Sequence, residues 1–186
     1  KAAKLESLAA TMDIFAAGNI FTGKFGKAIA SLSNPGATLD WGTPFCSRPL
    51  ALKGYMDYRP VAITHAKSPY TELKGRPDTC QIQIFLTDRT TMYHIDTQKK
   101  QFVDINGSDV IAYGKLESGT VTSTKDGLVN GYEPFEIKLE YRDLTRKPNM
   151  IVIVAAASKY GDFFTGGKGT VLYLDEFSFV YDPAEL

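Results

Sequence analysis

Apolar and polar residues alternate with a period of two along most of this chain. In Leu52-Lys-Gly-Tyr-Met-Asp-Tyr58, residues Leu52, Gly54, Met56 and Tyr58 fall on one side, and Lys53, Tyr55 and Asp57 on the other. That is the pattern of a strand buried on one face. Cys80-Gln-Ile-Gln-Ile-Phe-Leu86 repeats it, with Cys80, Ile82, Ile84 and Leu86 together. The spacing predicts further strands over 91–95, 110–116, 135–141, 150–156 and 170–181. Asn106-Gly107, Asp126-Gly127 and Asn130-Gly131 are turn signals between them. Ile151-Val-Ile-Val154 is apolar on both faces, which suits a central strand covered on both sides. In the last strand Leu172 and Leu174 share a face, but Phe177 and Phe179 are out of step with them. One extra residue near Asp175-Glu176 restores the inward set, so a β-bulge is expected there. In a jelly roll such a bulge lets one strand serve both sheets. Residues 31–40, containing Asn34-Pro35-Gly36, read as a turn-rich connector. Lys1-Ala-Ala-Lys-Leu-Glu-Ser-Leu-Ala-Ala10 alone is made of strong helix formers.

Composition sharpens this picture. A length of 186 residues fits one domain, and 16 Gly with 9 Pro punctuate many short strands. Acidic and basic residues balance at 21 each, which leaves no electrostatic case for nucleic acid or an anionic membrane. No apolar run reaches the ~18 residues of a transmembrane helix. Cys46 and Cys80 are too few for a disulfide framework or a zinc site. Cys80 reads as a buried thiol acting as a small hydrophobe, and a Cys46–Cys80 bridge stays open in an oxidising compartment.

Candidate chemistry is sparse. Neither His65 nor His94 has a metal-ligand neighbour at useful spacing, and nucleophile-elbow, phosphate-loop and zinc-hydrolase motifs are absent. A glycosidase needs only two carboxylates across a sugar ring, and Asp57, Glu133, Glu136, Glu140, Asp162 and Asp175 are the candidates. Glu136 and Glu140 alternate with Lys138 as on a solvated strand face. Asp175, at the expected bulge, could hold backbone donors or lend an oxygen to a structural calcium. If the apolar sets point inward, then Tyr55, Asp57, Gln81, Gln83 and Phe85 point out. Exposed rings flanked by amides and acids suit a sugar, which has an apolar C–H face and a fringe of hydroxyls. The loop Tyr160-Gly-Asp-Phe-Phe164 offers a second surface, with Tyr160, Asp162 and Phe163 as its binding groups. Trp41 reads as a core plug rather than a sugar platform.

The segment Asp40-Trp-Gly-Thr-Pro-Phe-Cys-Ser-Arg-Pro-Leu-Ala-Leu-Lys-Gly-Tyr-Met-Asp-Tyr58 carries a recognisable pattern. Its Gly42, Pro44, Phe45, Arg48, Pro49, Leu52, Gly54, Tyr55 and Tyr58 resemble the signature of the putative carbohydrate metabolism domain family, β-sandwich proteins of gut anaerobes. Residues 16–25 resemble the family's approach to that signature, and 157–179 its C-terminal hairpin. The resemblance implies an all-β sandwich of jelly-roll type, akin to carbohydrate-binding modules. It also implies a strand centred on Lys4 and Leu5 in place of the helix, and further N-terminal residues before Lys1 that could carry a surface anchor. The implied function is non-catalytic glycan binding in a secreted or outer-membrane, cell-surface protein. A glycoside hydrolase and an adhesin-like interaction module are the alternatives. No cofactor is expected apart from the calcium considered above. Trp41, Pro44, Phe45, Arg48, Pro49 and Gly54 are expected to serve the fold. An arginine between two proline turns can tie loop carbonyls with its fixed fork of donors.

Overall fold

A computed structural model describes residues 1–9, 13–29, 31, 33–122 and 131–186. Its strands, in chain order, are β1 (Ala3–Glu6), β2 (Leu8–Ala9), β3 (Phe15–Ala16), β4 (Asn19–Phe21), β5 (Gly23–Ile29), β6 (Gly36–Trp41), β7 (Thr43–Pro44) and β8 (Ala51–Arg59). They continue as β9 (Cys80–Thr87), β10 (Tyr93–Asp96), β11 (Val110–Ser118), β12 (Glu133–Lys138), β13 (Glu140–Tyr141), β14 (Met150–Ala156) and β15 (Val171–Val180). Helical structure among the described residues is limited to short 3-10 turns. The Asp126-Gly127 and Asn130-Gly131 turn signals involve residues outside the described set.

A four-stranded antiparallel sheet, β1-β15-β8-β12, faces a six-stranded sheet, β13-β11-β9-β14-β4, in which β7 also pairs with β14. The core between them is the set the period-two pattern selects. Leu52, Met56 and Tyr58 from β8, and Leu172 and Leu174 from β15, meet Cys80, Ile82, Ile84 and Leu86 from β9. Burial of such side chains is the main stabilising term of the sandwich. Leu5 also lies in this core, 6% exposed, opposite Leu172. Pairing with β15 thus makes a strand of residues whose propensity favours helix.

A third layer roofs part of the six-stranded sheet. β5, β6 and β10 form a three-stranded sheet whose Leu39, Trp41, Tyr93 and Ile95 pack on Phe85, Val110 and Val152 in a second core. This layer corrects the reading of residues 31–40 as connector. Gly36–Trp41 is a strand, because Leu39 and Trp41 gain burial by pairing with Ile95 and Tyr93 of β10. It also gives β14 its two apolar faces, Ile151 serving the first core and Val152 the second.

β15 carries the expected bulge. Asp175 pairs with Tyr55 and Ser178 with Lys53, so Glu176 and Phe177 together oppose Gly54, and Glu176 takes a positive φ of 52°. β15 pairs with β8 on both sides of the bulge, so here the strand is not passed from one sheet to the other. Gly54 is required by packing. A Cβ there would come within 2.8 Å of both the Phe135 and Phe177 rings, which meet edge to face at 5.5 Å over it.

Candidate functional site

Cross-strand register decides what the outer face of the four-stranded sheet displays. Tyr173 stands opposite both Lys4 and Asp57, while Tyr55 stands opposite Asp175 and Pro134. Partners directly opposite share a face, so Tyr55 and Tyr173 lie on the same solvent side, Tyr55 being 39% exposed. Half-buried Tyr132 joins them, with Asp57, Asp175, Tyr173 and Arg59 all acting on its phenol. Burial raises that phenol above its ordinary pKa, and the two carboxylates add to the effect. Charges between the rings are paired: Lys53 with Glu136 at 3.2 Å, Lys4 with Glu6 at 2.6 Å, and Arg59 with Asp57 at 2.5 Å. The Arg59 guanidinium also lies 5.2 Å from the centre of the Tyr173 ring. Beside Tyr55 runs an open trough of about 480 Å³, walled by Lys53, Pro134, Phe135, Glu136 and Ser178.

Two expected members of this face are corrected. Phe85 is 1% exposed and belongs to β9 in the opposite sheet, where the roof covers it in the second core. The period-two reading placed it outward correctly, but outward from that sheet is inward to a third layer. Asp57 does face out, yet it is only 3% exposed. Both its oxygens are taken, by the Arg59 guanidinium and by the Thr122 hydroxyl at 3.1 Å. Asp57 therefore holds Arg59 in place and presents no free oxygen to a ligand.

Gln81 and Gln83 lie on the outer face of the six-stranded sheet, beyond the edge of the roof. Two rows cross the sheet there, Asn19–Ala156–Gln81–Glu117 and Phe21–Val154–Gln83–Lys115. The Gln83 amide donates to the Gln81 carbonyl, and the Gln81 amide donates to Glu117 at 2.7 Å. Lys115 and Lys159 donate to the same carboxylate at 3.1 and 2.7 Å. Partial burial alone would raise the Glu117 pKa, but the hydrogen bonds from Lys159, Gln81 and Lys115 outweigh it and lower it to about 2. Where the roof ends, Leu39 and Trp41 overhang these rows and enclose a recess of about 80 Å³. Its far wall is the Ser158–Lys159–Gly161–Asp162 stretch. Desolvation by its surroundings pushes the Asp162 carboxyl above its ordinary pKa, with Lys100 opposing, although the residue keeps an exposed surface.

Buried Asp78 fixes that wall. Its carboxylate accepts from Ser158 Oγ at 2.6 Å, Gly167 N at 2.7 Å, Thr170 Oγ1 at 3.0 Å and Thr79 N at 2.8 Å. Of the loop aromatics, Tyr160 packs on Tyr70 at 4.3 Å, and Phe163 meets both Tyr70 and Phe102. Both rings are half-buried in this cluster. The structure therefore brings Gln81, Gln83, Asp162 and Trp41 together and sets Tyr55 on the opposite side of the sandwich. Tyr132, Tyr173, Phe21 and Lys159 were not singled out from the sequence. Strand phase gave a signal for Tyr173, since Leu172 and Leu174 point inward. Only register could place it beside Tyr55.

Of the signature residues, Pro44, Phe45, Arg48 and Pro49 are held by contacts with distant parts of the chain. Arg48 donates to the carbonyls of Arg146 at 2.7 Å and Asp143 at 2.9 Å, and its guanidinium sits 4.7 Å from the Tyr141 ring centre. Tyr141 in turn donates to the Pro49 carbonyl at 2.7 Å. Phe45 packs on Phe179 at 5.3 Å, Pro44 is paired with Met150, and Trp41 stacks obliquely on Phe21 at 6.2 Å. Cys46 and Cys80 are both free, and burial pushes the Cys80 thiol up to about 12. Asp175 Oδ1 accepts from the Glu176 backbone N–H at 3.0 Å, inside the bulge. Among the described residues no group of three or more His, Cys, Asp or Glu side chains is placed to hold a metal ion. No described helix is long and apolar enough to cross a membrane.

Fold and faces together define an all-β sandwich domain with Tyr55 and Tyr173 on one outer face and Gln81 and Gln83 on the other. The chain belongs to the Putative carbohydrate metabolism domain family, whose sequence model matches residues 1–180. A putative glycoside hydrolase from Bacteroides thetaiotaomicron shares the fold at a TM-score of 0.69 and 19% identity, over 97% of this chain and 53% of that one. A putative glycoside hydrolase from Bacteroides vulgatus aligns at a TM-score of 0.65 and 23% identity, over 96% of this chain and 72% of that one. The chain thus spans about half the length of the first of these structures, 53%. No curated protein matches the chain.

Proposed function

We propose that the protein is a non-catalytic carbohydrate-binding domain and that it receives a glycan on the tyrosine face of the four-stranded sheet. The observation that carries this reading is the grouping of Tyr55, Tyr132 and Tyr173 with Arg59, Lys53 and Glu136 on one outer face beside the trough. Rings held on strands offer flat apolar surface to the C–H side of a pyranose at little ordering cost. The paired charges around them supply donors and acceptors for hydroxyls. Family membership supports the carbohydrate class, and the reading sets the protein outside the cell or at its surface, where polysaccharide is met. A glycan array followed by calorimetry on the best ligand tests it. Binding should be found and should weaken in Tyr55→Ala; a Tyr55→Ala variant with unchanged affinity would remove the site from this face.

One observation favours a glycoside hydrolase as the second reading. Asp162 lines the recess and Glu117 is bonded to Gln81 and Lys159 of its lining, and their protonation is pushed in opposite directions, as acid and base pairs often are. Against it, both Glu117 oxygens are engaged by Lys159, Lys115 and Gln81. Turnover of the bound glycan that disappears in Asp162→Asn, with the fold intact, would establish the hydrolase instead.

A further inference from the structure

The bulge in β15 opens onto the trough beside Tyr55. Glu176 and Phe177 both stand opposite Gly54, and there their side chains part. Phe177 turns to the Phe135 ring, edge to face at 5.5 Å. Glu176 is exposed and lines the trough with Lys53, Tyr55, Glu136 and Ser178, and Gly54 completes that lining without a side chain of its own. The bulge therefore sets a carboxylate beside a stretch of sheet where the facing residue offers only backbone.

That placement strains the chain. Glu176 holds φ at 52°, a left-handed conformation that glycine enters freely and a residue with a Cβ enters at a cost. Bulges commonly put glycine in this conformation, so the bend alone does not call for a glutamate. Strained residues of this kind cluster at ligand clamps and active sites. The Asp175 carboxylate holds the turn by accepting from Glu176 N–H at 3.0 Å. The Glu176 carboxylate itself makes no hydrogen bond or ion pair among the described residues. The other charges at the lining are matched, Lys53 with Glu136 at 3.2 Å, and Lys138 reaches the same glutamate at 3.7 Å. Glu176 is left as the uncompensated charge of the trough.

We infer that Glu176 sets the specificity of the glycan site. It accepts from two neighbouring hydroxyls of the unit stacked on Tyr55 and turns away acidic sugars, so the ligand class is neutral glycans rather than uronate or sulfated chains. An ionised carboxylate only accepts, through two oxygens, and vicinal hydroxyls supply a matching pair of O–H donors. A carboxylate or sulfate on the sugar finds no free cation at the lining and stands against Glu176, a repulsive element of the sort that discriminates between ligands. The location and the carbohydrate class rest on the function proposed above; the role of Glu176 is separate from them.

Calorimetry on the full chain compares neutral oligosaccharides of glucose, galactose and mannose with the oligouronates that differ from them only in a carboxylate at C6. The wild type, Tyr55→Ala, Glu176→Gln and Glu176→Gly are each titrated, and their melting temperatures are measured. A neutral chain should bind the wild type, and its uronate counterpart should bind about fivefold more weakly at ~10 mM salt, the gap closing at ~1 M salt as charges are screened. Glu176→Gln should weaken the neutral chain about tenfold, the size expected for a charge-assisted hydrogen bond, and bring the two chains level. Glu176→Gly should lose the same affinity at an equal or higher melting temperature, because glycine takes the φ of the bulge freely. A lower melting temperature in Glu176→Gly would make the side chain a support of the bulge and overturn its role in specificity. A uronate bound as tightly as the neutral chain would overturn it too, as would wild-type affinities in Glu176→Gln. In each of these cases binding that depends on Tyr55 would leave the proposed function standing. Binding of no chain, neutral or acidic, would remove both.

Discussion

The two sheets of this sandwich obey the same alternation, yet their outer faces have opposite fates. β8 sends Lys53, Tyr55 and Asp57 outward, and Tyr55 keeps an exposed surface. β9 sends out Gln81, Gln83 and Phe85, and β14 sends out Val152 and Val154. The apolar half of that second set is covered by a three-stranded roof, and the cover stops where the amides begin. An outward phase therefore states which side of a sheet a residue occupies, while exposure depends on whether another layer finds enough apolar surface there.

Phe85→Ala separates the two faces most sharply. It removes a ring from a sealed second core, so a loss of about 3–5 kcal/mol is expected by chemical denaturation. A loss below ~1 kcal/mol would mean that the roof is not a packed layer. Arg48→Ala comes next. Losing a charged donor to two loop carbonyls should cost about 1–3 kcal/mol of stability while leaving glycan affinity on the tyrosine face unchanged. Intact stability with lost binding would instead make Arg48 a ligand contact. Tyr55→Ala should weaken glycan binding several-fold, on the order of 1 kcal/mol, with a smaller change in melting temperature than Phe85→Ala.

The gentlest test uses acid. The Glu117 pKa is lowered from 4.5 to about 2 in the folded protein, so its contribution is complete above pH 4.5 and is lost as pH falls toward about 2. Glu117→Gln should flatten that acid limb of the stability curve. An unchanged limb would show that the lysine clamp holds nothing. The tyrosine face, with its charges paired near the surface, should add little to the same limb.

Much of the sandwich was legible because its strands carry one-sided alternation. Leu52 to Tyr58, Cys80 to Leu86 and the phase break at Asp175-Glu176 each pointed to the structure found. The roof was harder to read. Residues 36–41 sit between turn residues, and their burial comes from partners more than fifty positions away in β10, which local pattern cannot supply. The candidate site was legible in kind rather than in grouping. Type and phase mark Tyr55, Gln81 and Gln83, and a glycine-flanked loop marks Asp162, but the pattern joins Tyr55 to Phe85 across what are two different sheets. Register across β8 and β15, invisible in the sequence, is what replaces Phe85 with Tyr173. Of the two groups that hold Asp57, Arg59 is two residues away in β8, while Thr122 is 65 residues distant and invisible to local pattern.

The bulge at Glu176 also bears on how this chain can change length. On either side of it, Asp175 with Tyr55 and Ser178 with Lys53 are already in step. Removing Glu176 would leave a straight ladder in which Phe177 faces Gly54 and Phe179 still points into the core. Removing Tyr173 instead would turn either Leu172 or Leu174 to solvent. Within the ten residues of β15, the slack is concentrated at one position, and a single-codon deletion is expected to be survivable there and ruinous two or three residues upstream.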